Sequence, residues 1–291
     1  MGAVLVTGGS GQIGGALARL AGADIEIVAP TRDTLDLTDV KALATMVGAR
    51  PWSAIVNCAA YTAVDKAESD VVAAWTVNAL APAALAAASG AAGIPILHVS
   101  TDYVFSGAKP GFYVEDDPVA PLGVYGASKL GGELAVRSAN PRHVILRTAW
   151  VVSATGSNFV KTMLRLGAER PHLRVVADQH GCPTSADDIA STILSMLPRL
   201  GDGPYGTYHF VNAGAATWSA LAEAVFARAA THGRRAPSVE PIATSDYPTP
   251  AARPANSRLA TAKIARDFGI HPRDWHEAID EIVDTLLKEA A

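Results

Sequence analysis

The first fourteen residues constrain the fold of this chain more than any other stretch. An apolar run over residues 3–7 leads directly into a turn with three evenly spaced glycines, and an alanine-rich amphipathic segment follows to about residue 20. A strand, a glycine-rich turn and a helix in this order let backbone N–H groups approach a pyrophosphate, and the start of the helix adds its positive dipole. Gly8, Gly11 and Gly14 are therefore candidate dinucleotide-binding residues, although the usual fingerprint is G-x-G-x-x-G rather than G-x-x-G-x-x-G.

Further apolar runs, separated by helical segments, continue this pattern over residues 25–29, 54–57, 94–100, 144–148 and 208–211. Strands that alternate with helices build a parallel sheet, so we predict an α/β fold with a Rossmann-like, doubly wound parallel sheet. Residues 1–150, with returning segments near 175–213, are predicted to form the NAD(P)-binding domain. Residues of about 151–174 and 214–291, which include a proline-rich segment, are predicted to form a smaller substrate-binding lobe.

Composition excludes several classes of partner. With 49% hydrophobic and 18% charged residues among 291, the chain can bury a large core, and a formal net charge of −4 offers no basic surface for nucleic acid. The two cysteines, Cys58 and Cys182, lack metal-ligand spacing and fit a reducing compartment. The apolar runs are shorter than a membrane span. We therefore expect a soluble, cytoplasmic protein without a nucleic-acid or membrane partner.

The end of the second predicted strand indicates which dinucleotide is bound. Arg32 lies where the adenosine ribose of a dinucleotide would be, and an arginine there accommodates a 2′-phosphate, which favours NADPH. Asp33 follows directly and could instead accept a ribose hydroxyl, so NADH stays an alternative. Asp36 opens the next turn and could reach the adenine amino group.

Tyr125 and Lys129 provide the main candidate for proton transfer. They stand four residues apart in a segment without proline, so a helix would place both side chains on one face. A neighbouring ammonium group favours a phenolate and would lower the pKa of Tyr125 from about 10 towards neutrality, where it could act as a general acid. Such a pair also occurs by chance in many helices, and its significance depends on the other motifs.

Other strand ends and loops supply candidates for the remaining parts of the site. Thr101, at the end of the fourth predicted strand, could hydrogen-bond a carbonyl oxygen. The small residues Ala59 and Ala60 would let a flat cofactor pass closely. His98 and Asn78 have structural roles as their simplest interpretation.

The motifs together resemble the extended short-chain dehydrogenase/reductases over essentially the whole chain. They are the glycine turn, residues 57–68 (NCAAYTAVDKAE), 100–105 (STDYVF), Tyr125-x-x-x-Lys129, and residues 147–151 (RTAWV), 156–163 (GSNFVKTM), 178–184 (DQHGCPT) and 247–259 (YPTPAARPANSRL). The resemblance implies that Thr101, Tyr125 and Lys129 are catalytic. It implies cofactor contacts at Gly11, Gln12, Ile13, Asp36, Leu37, Ala59, Ala60, Thr62, Tyr125 and Lys129, and substrate contacts at Thr101, Asp102 and Trp150.

The activity that this resemblance implies is reduction of the C4 ketone of a dTDP-bound 6-deoxy sugar by NADPH or NADH. Trp150 would supply a flat wall for the sugar, or could be an ordinary domain-interface aromatic. Asn158, Arg253 and Asn256 are further candidates for the substrate, and for the last two a salt bridge or a loop-stabilising role is an equal alternative. A non-catalytic regulatory subunit and a reductase of another dTDP-4-keto-6-deoxyhexose are alternative functions.

One departure from the family pattern concerns metal binding. Some members are dimers held by magnesium between acidic side chains, one of them shortly after the glycine turn. Here that stretch, residues 14–17, reads GGAL and has no carboxylate. We therefore expect no structural metal, and a monomer or weak homodimer.

Overall fold

The computed structural model describes residues 2–289. Its strands are β1 (Val4–Thr7), β2 (Ile27–Val28), β3 (Ala54–Asn57), β4 (Ile96–Thr101), β5 (His143–Thr148), β6 (Val151–Val152), β7 (His172–Val176), β8 (His180–Gly181), β9 (Thr184–Ser185), β10 (Gly206–His209), β11 (Ala216–Thr217) and β12 (Ser238–Ile242). Its α-helices are α1 (Gln12–Leu20), α2 (Val40–Gly48), α3 (Val64–Ala67), α4 (Val71–Trp75), α5 (Ala81–Ala91), α6 (Val124–Ala139), α7 (Phe159–Glu169), α8 (Ala186–Met196), α9 (Trp218–Thr231), α10 (Ala262–Phe268) and α11 (Trp275–Glu289).

The main sheet has six strands in the order β10-β5-β4-β3-β1-β2, and every neighbouring pair is parallel. Its inner strands are apolar on both faces because helices cover both sides. The predicted fold class is confirmed. The predicted return of the chain to the main sheet near residue 208 is also confirmed, since β10 pairs with β5.

Helices cover the two faces of this sheet with separate apolar cores. Side chains of α1 and α8 pack on one face, and side chains of α2, α5 and α6 pack on the other. A third core lies outside the sheet, where α7, α9 and α11 surround the parallel pair β7 and β12. Its buried residues fall between 152 and 175 and between 216 and 283, and a substrate-binding role for this part of the chain stays a prediction. The exact domain boundaries stay a prediction.

One helix is longer and more apolar than the sequence analysis allowed. The segments α4 and α5 are joined by a π-helical stretch, Thr76–Leu80, into a 21-residue helix with a mean hydropathy of 1.6. By length and composition this helix could cross a membrane, so the estimate that no run was long enough was wrong. The core helix of a soluble protein has the same properties, and Leu85 and Ala86 are buried here against the sheet.

Candidate active site

A cavity of about 700 Å³ opens at the carboxyl ends of β1, β3, β4 and β5. Ligands bind at this edge of open parallel sheets, because the loops that follow the strands converge there. Most of the residues predicted to touch cofactor or substrate line this cavity. They are Gly8, Gly11, Gln12, Ile13, Arg32, Asp36, Leu37, Ala59, Ala60, Thr62, Thr101, Asp102, Tyr125, Lys129, Trp150 and Asn158.

The glycine turn is shaped by close backbone contacts. Gly8 has a φ of +76°, and a Cβ atom there would lie 2.7 Å from the backbone nitrogen of Ala59. A Cβ at Gly14 would lie 2.2 Å from the carbonyl oxygen of Gly8, so this glycine lets α1 approach the turn and does not itself line the cavity. No side chain caps the start of α1. Its first N–H groups are therefore available to bind a pyrophosphate.

The adenosine end of the cavity is polar and open. Arg32 and Asp36 are both exposed on its rim. Asp36 accepts a hydrogen bond from the backbone N–H of Thr38 at 2.8 Å, and this bond lowers the pKa of its carboxyl group. An arginine and a carboxylate at this rim could contact a ribose phosphate and an adenine amino group.

Tyr125 and Lys129 lie on one face of α6, as their spacing predicts. The half-buried Tyr125 points into the cavity, and Lys129 is only 2% exposed. The amine of Lys129 donates to the carbonyl oxygen of Val99 at 2.7 Å. Burial lowers the pKa of Lys129 to about 8, and the carboxylate of Glu133 one turn further along α6 partly opposes this.

The predicted decrease of the Tyr125 pKa is wrong for this structure. Burial raises the pKa of Tyr125 to about 12, a hydrogen bond with Thr101 lowers it less, and the charge of Asp102 raises it further. The physical reason is that the Lys129 amine is directed at a backbone carbonyl of β4, so the effect of burial on the phenol prevails. Helical spacing predicts which side chains are neighbours, but not how much water reaches them.

Thr101 and Asp102 form a polar pair at the end of β4. The hydroxyl of Thr101 donates to Asp102 Oδ1 at 3.0 Å and accepts from the N–H of Tyr103 at 3.2 Å. Asp102 is 2% exposed, and among residues 2–289 its Oδ2 atom has no hydrogen-bond partner. Burial raises the pKa of this carboxyl group to about 6. Both residues line the cavity, where the Thr101 hydroxyl is held by Asp102 Oδ1 and the Oδ2 atom is buried.

Asn158 lies between the glycine turn and the second lobe. Its side-chain amide donates to Gln12 Oε1 at 3.0 Å and to the carbonyl oxygen of Ser153 at 2.7 Å. Its Oδ1 atom accepts from the N–H of Lys161 and so caps α7. Its predicted contact with substrate stays a prediction.

Arg253 and Asn256 do not line the cavity. Arg253 forms an ion pair with Asp65 at 2.8 Å, and Asn256 donates to the carbonyl oxygens of Lys109 and Gly111 at 2.5 and 2.8 Å. These are the salt bridge and the loop contacts that the sequence analysis left open as alternatives. The structure gives no support to substrate contacts by either residue.

Two aromatic residues of the cavity wall were missed. Tyr103 lies edge-on to Tyr125, with ring centroids 5.5 Å apart. Trp218, the first residue of α9, stacks on Trp150 with ring centroids 3.5 Å apart and an interplanar angle of 5°. Residues 100–105 already contained Tyr103 as a signal. Nothing in the sequence near Trp218 indicated a cavity, because its position depends on how the lobe packs.

This arrangement defines an NAD(P)-dependent oxidoreductase of the extended short-chain dehydrogenase/reductase class, with a glycine turn, a Tyr-x-x-x-Lys pair and a strand-end threonine around one cavity. The chain belongs more particularly to the RmlD substrate binding domain family, whose model matches residues 2–288.

Three relatives show how far the similarity extends. The chain is 47% identical over 288 residues to the dTDP-4-dehydrorhamnose reductase of Sinorhizobium fredii, with 98% of this chain and 97% of that protein covered. It is 40% identical to a Streptomyces antibioticus protein named as a probable dTDP-4,6-dihydroxy-2-methyloxan-3-one 4-ketoreductase, with 97% and 95% covered. The structure of a Bacillus anthracis dTDP-4-dehydrorhamnose reductase in complex with NADP superposes with a TM-score of 0.92 at 34% identity, with 97% and 99% covered.

Proposed function

We propose that this protein is a dTDP-4-dehydrorhamnose reductase, which reduces the C4 ketone of dTDP-4-dehydro-L-rhamnose to give dTDP-L-rhamnose. The observation that carries the proposal is the convergence of Thr101, Tyr125 and Lys129 on a cavity that also contains the glycine turn. Full-length similarity to reductases of this substrate supports it. NADPH is the proposed cofactor, because Arg32 lies on the adenosine rim and a structural relative binds NADP. NADH is an alternative.

When the reduced cofactor is bound, its nicotinamide supplies the hydride that C4 receives. The chain's own residues then handle the oxygen of the ketone. Tyr125 gives its phenolic proton to this oxygen as negative charge develops there, and Thr101 stabilises the same oxygen once its hydroxyl turns from Asp102 Oδ1 towards it. Lys129 keeps a positive charge beside the phenolate that Tyr125 leaves behind. The high pKa of Tyr125 keeps its proton available at neutral pH.

Asp102, Trp150 and Asn158 are the proposed sugar contacts, since all three line the same cavity as Thr101. Asp102 hydrogen-bonds the Thr101 hydroxyl in the cavity wall, and Trp150 presents an apolar face. Arg253 and Asn256 are weaker candidates because internal partners already hold them.

The proposal is tested by the wild-type protein and Tyr125→Phe with NADPH and the 4-keto sugar. We expect oxidation of NADPH by the wild type and a decrease in kcat of about 10²–10⁴-fold in the variant, with NADPH binding retained. Stoichiometric binding of NADPH by the wild type without turnover of the keto sugar would instead favour the regulatory subunit.

A second candidate is the reductase of another dTDP-4-keto-6-deoxyhexose. The similarity to the Streptomyces antibioticus ketoreductase favours this alternative. Identification of the product by NMR decides between the two, because the configuration at C4 differs between epimeric products.

The proposal also includes a cytoplasmic protein without structural metal that is a monomer or weak homodimer. This part of the proposal rests on residues 14–17 (GGAL), which offer no carboxylate for an ion shared between two copies. Light scattering with and without added Mg²⁺ would test both the oligomeric state and its dependence on metal.

A further inference from the structure

The motif of residues 178–184 (DQHGCPT) has no role in the reaction described above. It includes β8 and the start of β9, and it lies between the sheet and the second lobe. Two of its residues, Gln179 and Gly181, contact the aromatic pair in the cavity wall. Their contacts suggest what the motif does.

Trp150 has an unusual backbone conformation. Its φ of +45° is the only positive value at a non-glycine residue among residues 2–289. A large side chain in this region is strained and persists only where the surroundings fix it. The ring of Trp218 covers one side of the Trp150 ring at 3.5 Å, so the second lobe supplies part of this constraint.

Gly181 supplies another part of the constraint. A Cβ atom at this position would lie 2.3 Å from Cε2 and 2.4 Å from Nε1 of Trp150. These distances are well below ordinary contact, so any larger residue here would displace the indole. The backbone of β8 therefore packs directly against the Trp150 ring.

Gln179 fixes the second ring. Its Oε1 atom accepts from the indole N–H of Trp218 at 3.1 Å, and its amide donates to Thr244 Oγ1 at 3.0 Å. Thr244 in turn donates to Asp178 Oδ1 at 2.6 Å. Gln179 is only 5% exposed, so the hydrogen bonds that hold Trp218 are shielded from water.

We propose that Gln179 and Gly181 are positioning residues that hold the Trp150–Trp218 stack as a rigid wall for the sugar, and that Trp218 is a second aromatic residue of the sugar subsite. The ligand class is a 6-deoxy sugar, whose apolar face and methyl group suit an indole surface. This inference rests on the proposed function. It adds a role for the 178–184 motif and for a tryptophan outside the catalytic trio.

The test compares Gly181→Ala and Trp218→Phe with two control variants. Gly22→Ala adds a methyl where no heavy atom lies within 4 Å, and Trp52→Phe changes a tryptophan whose indole N–H bonds to Met46 outside the cavity. Circular dichroism first reports the stack without substrate, because two indoles 3.5 Å apart give an exciton couplet when their transition dipoles are rotated about the stacking axis. We expect Trp218→Phe to lose this couplet, Gly181→Ala to weaken it, and both controls to keep it.

Steady-state kinetics then report the function of the stack. We expect the KM for the keto sugar to increase about 10- to 100-fold in Gly181→Ala and Trp218→Phe, with the KM for NADPH unchanged. Wild-type sugar KM in variants that have lost the couplet would overturn the inference, as would an equal rise in both KM values.

If the wild type does not reduce the keto sugar, the proposed function fails. The wall is then tested separately by binding of dTDP-L-rhamnose. Equal affinity of the wild type and Trp218→Phe for this ligand would overturn the inference by itself.

Discussion

The amine of Lys129 lies 2.7 Å from the carbonyl oxygen of Val99, two residues before Thr101 on the same strand. This hydrogen bond ties α6, which carries Tyr125, to β4, which carries Thr101. Lys129 therefore fixes the position of Tyr125 relative to Thr101. Lys129 is buried at this contact, and its positive charge is costly there because water is excluded.

We predict that activity falls as the pH rises through about 8, the value to which burial lowers the pKa of Lys129. Loss of the amine proton removes the positive charge that stabilises the phenolate of Tyr125. A profile of kcat against pH checks this, and a flat profile over this range would contradict it.

Lys129 should also make stability depend on pH. Its pKa is lower in the folded chain than in the unfolded chain, so between about 8 and the ordinary value of 10.5 the unfolded chain binds more protons. The free energy of unfolding should therefore rise with pH over this interval in the wild type. Lys129→Met should lack this contribution, which denaturant titrations at several pH values would show.

Asp102 should lower stability at neutral pH. Its pKa is raised from 3.8 to about 6, so the folded chain holds this proton more tightly than the unfolded chain does. The stabilisation that results is complete below pH 3.8 and is lost as the pH rises through 6. Asp102→Asn should therefore be more stable than the wild type by about 2–3 kcal/mol at pH 7, a difference that vanishes near pH 4. Thermal unfolding at both pH values measures this, and an equal difference at both would refute it. We expect the variant to bind the sugar more weakly.

Two adjacent glycines of α1 should respond to alanine in opposite directions. A Cβ at Gly14 would lie 2.2 Å from the Gly8 carbonyl oxygen, whereas a Cβ at Gly15 would lie 3.4 Å from that of Gly9. Gly14→Ala should cost about 1–3 kcal/mol and weaken NADPH binding, because the turn must shift. Gly15→Ala should increase the free energy of unfolding by about 0.5–1 kcal/mol, because alanine has less conformational entropy to lose on folding than glycine. Calorimetry with and without NADPH checks both, and equal effects would contradict the packing argument.

The sequence was sufficient for features with strong local signals. The proline-free segment that contains Tyr125 and Lys129 indeed forms a helix, α6, over Val124–Ala139. Local sequence signals did not predict the features that depend on tertiary packing. The second strand was predicted over residues 25–29 but pairs only at 27–28, since β2 is an edge strand with one neighbour. Trp218 and the raised pKa of Tyr125 depend on burial by distant segments, and spacing along the chain does not contain that information.

Variants of the ion pair between Asp65 and Arg253 distinguish a structural role of Arg253 from a role in substrate binding. The side chains of Asp65 and Arg253 are 40% and 22% exposed, so we expect each alanine variant to lose no more than about 1 kcal/mol of stability. If Arg253 also binds the substrate diphosphate, Arg253→Ala should raise the KM for the dTDP-sugar while Asp65→Ala leaves it unchanged. Equal KM values in both variants and the wild type would restrict Arg253 to its structural ion pair.

Arg32 provides the test of cofactor preference. Its side chain is exposed on the adenosine rim, where it forms no direct salt bridge among residues 2–289 although its charge helps to lower the pKa of Asp36, so its guanidinium can turn towards a 2′-phosphate. A hydrogen bond to a charged group contributes about 1.5–3 kcal/mol, so Arg32→Ala should raise the KM for NADPH by about 10- to 100-fold. The KM for NADH, which lacks the phosphate, should stay within about twofold.

Asp33→Ala is the matched control, because Asp33 is the neighbouring exposed residue and could accept a ribose hydroxyl only where no phosphate is present. We expect this variant to raise the KM for NADH and leave that for NADPH unchanged. If Arg32→Ala instead raises the KM for NADPH and NADH equally, Arg32 does not recognise the 2′-phosphate. The preference for NADPH must then come from another part of the cavity.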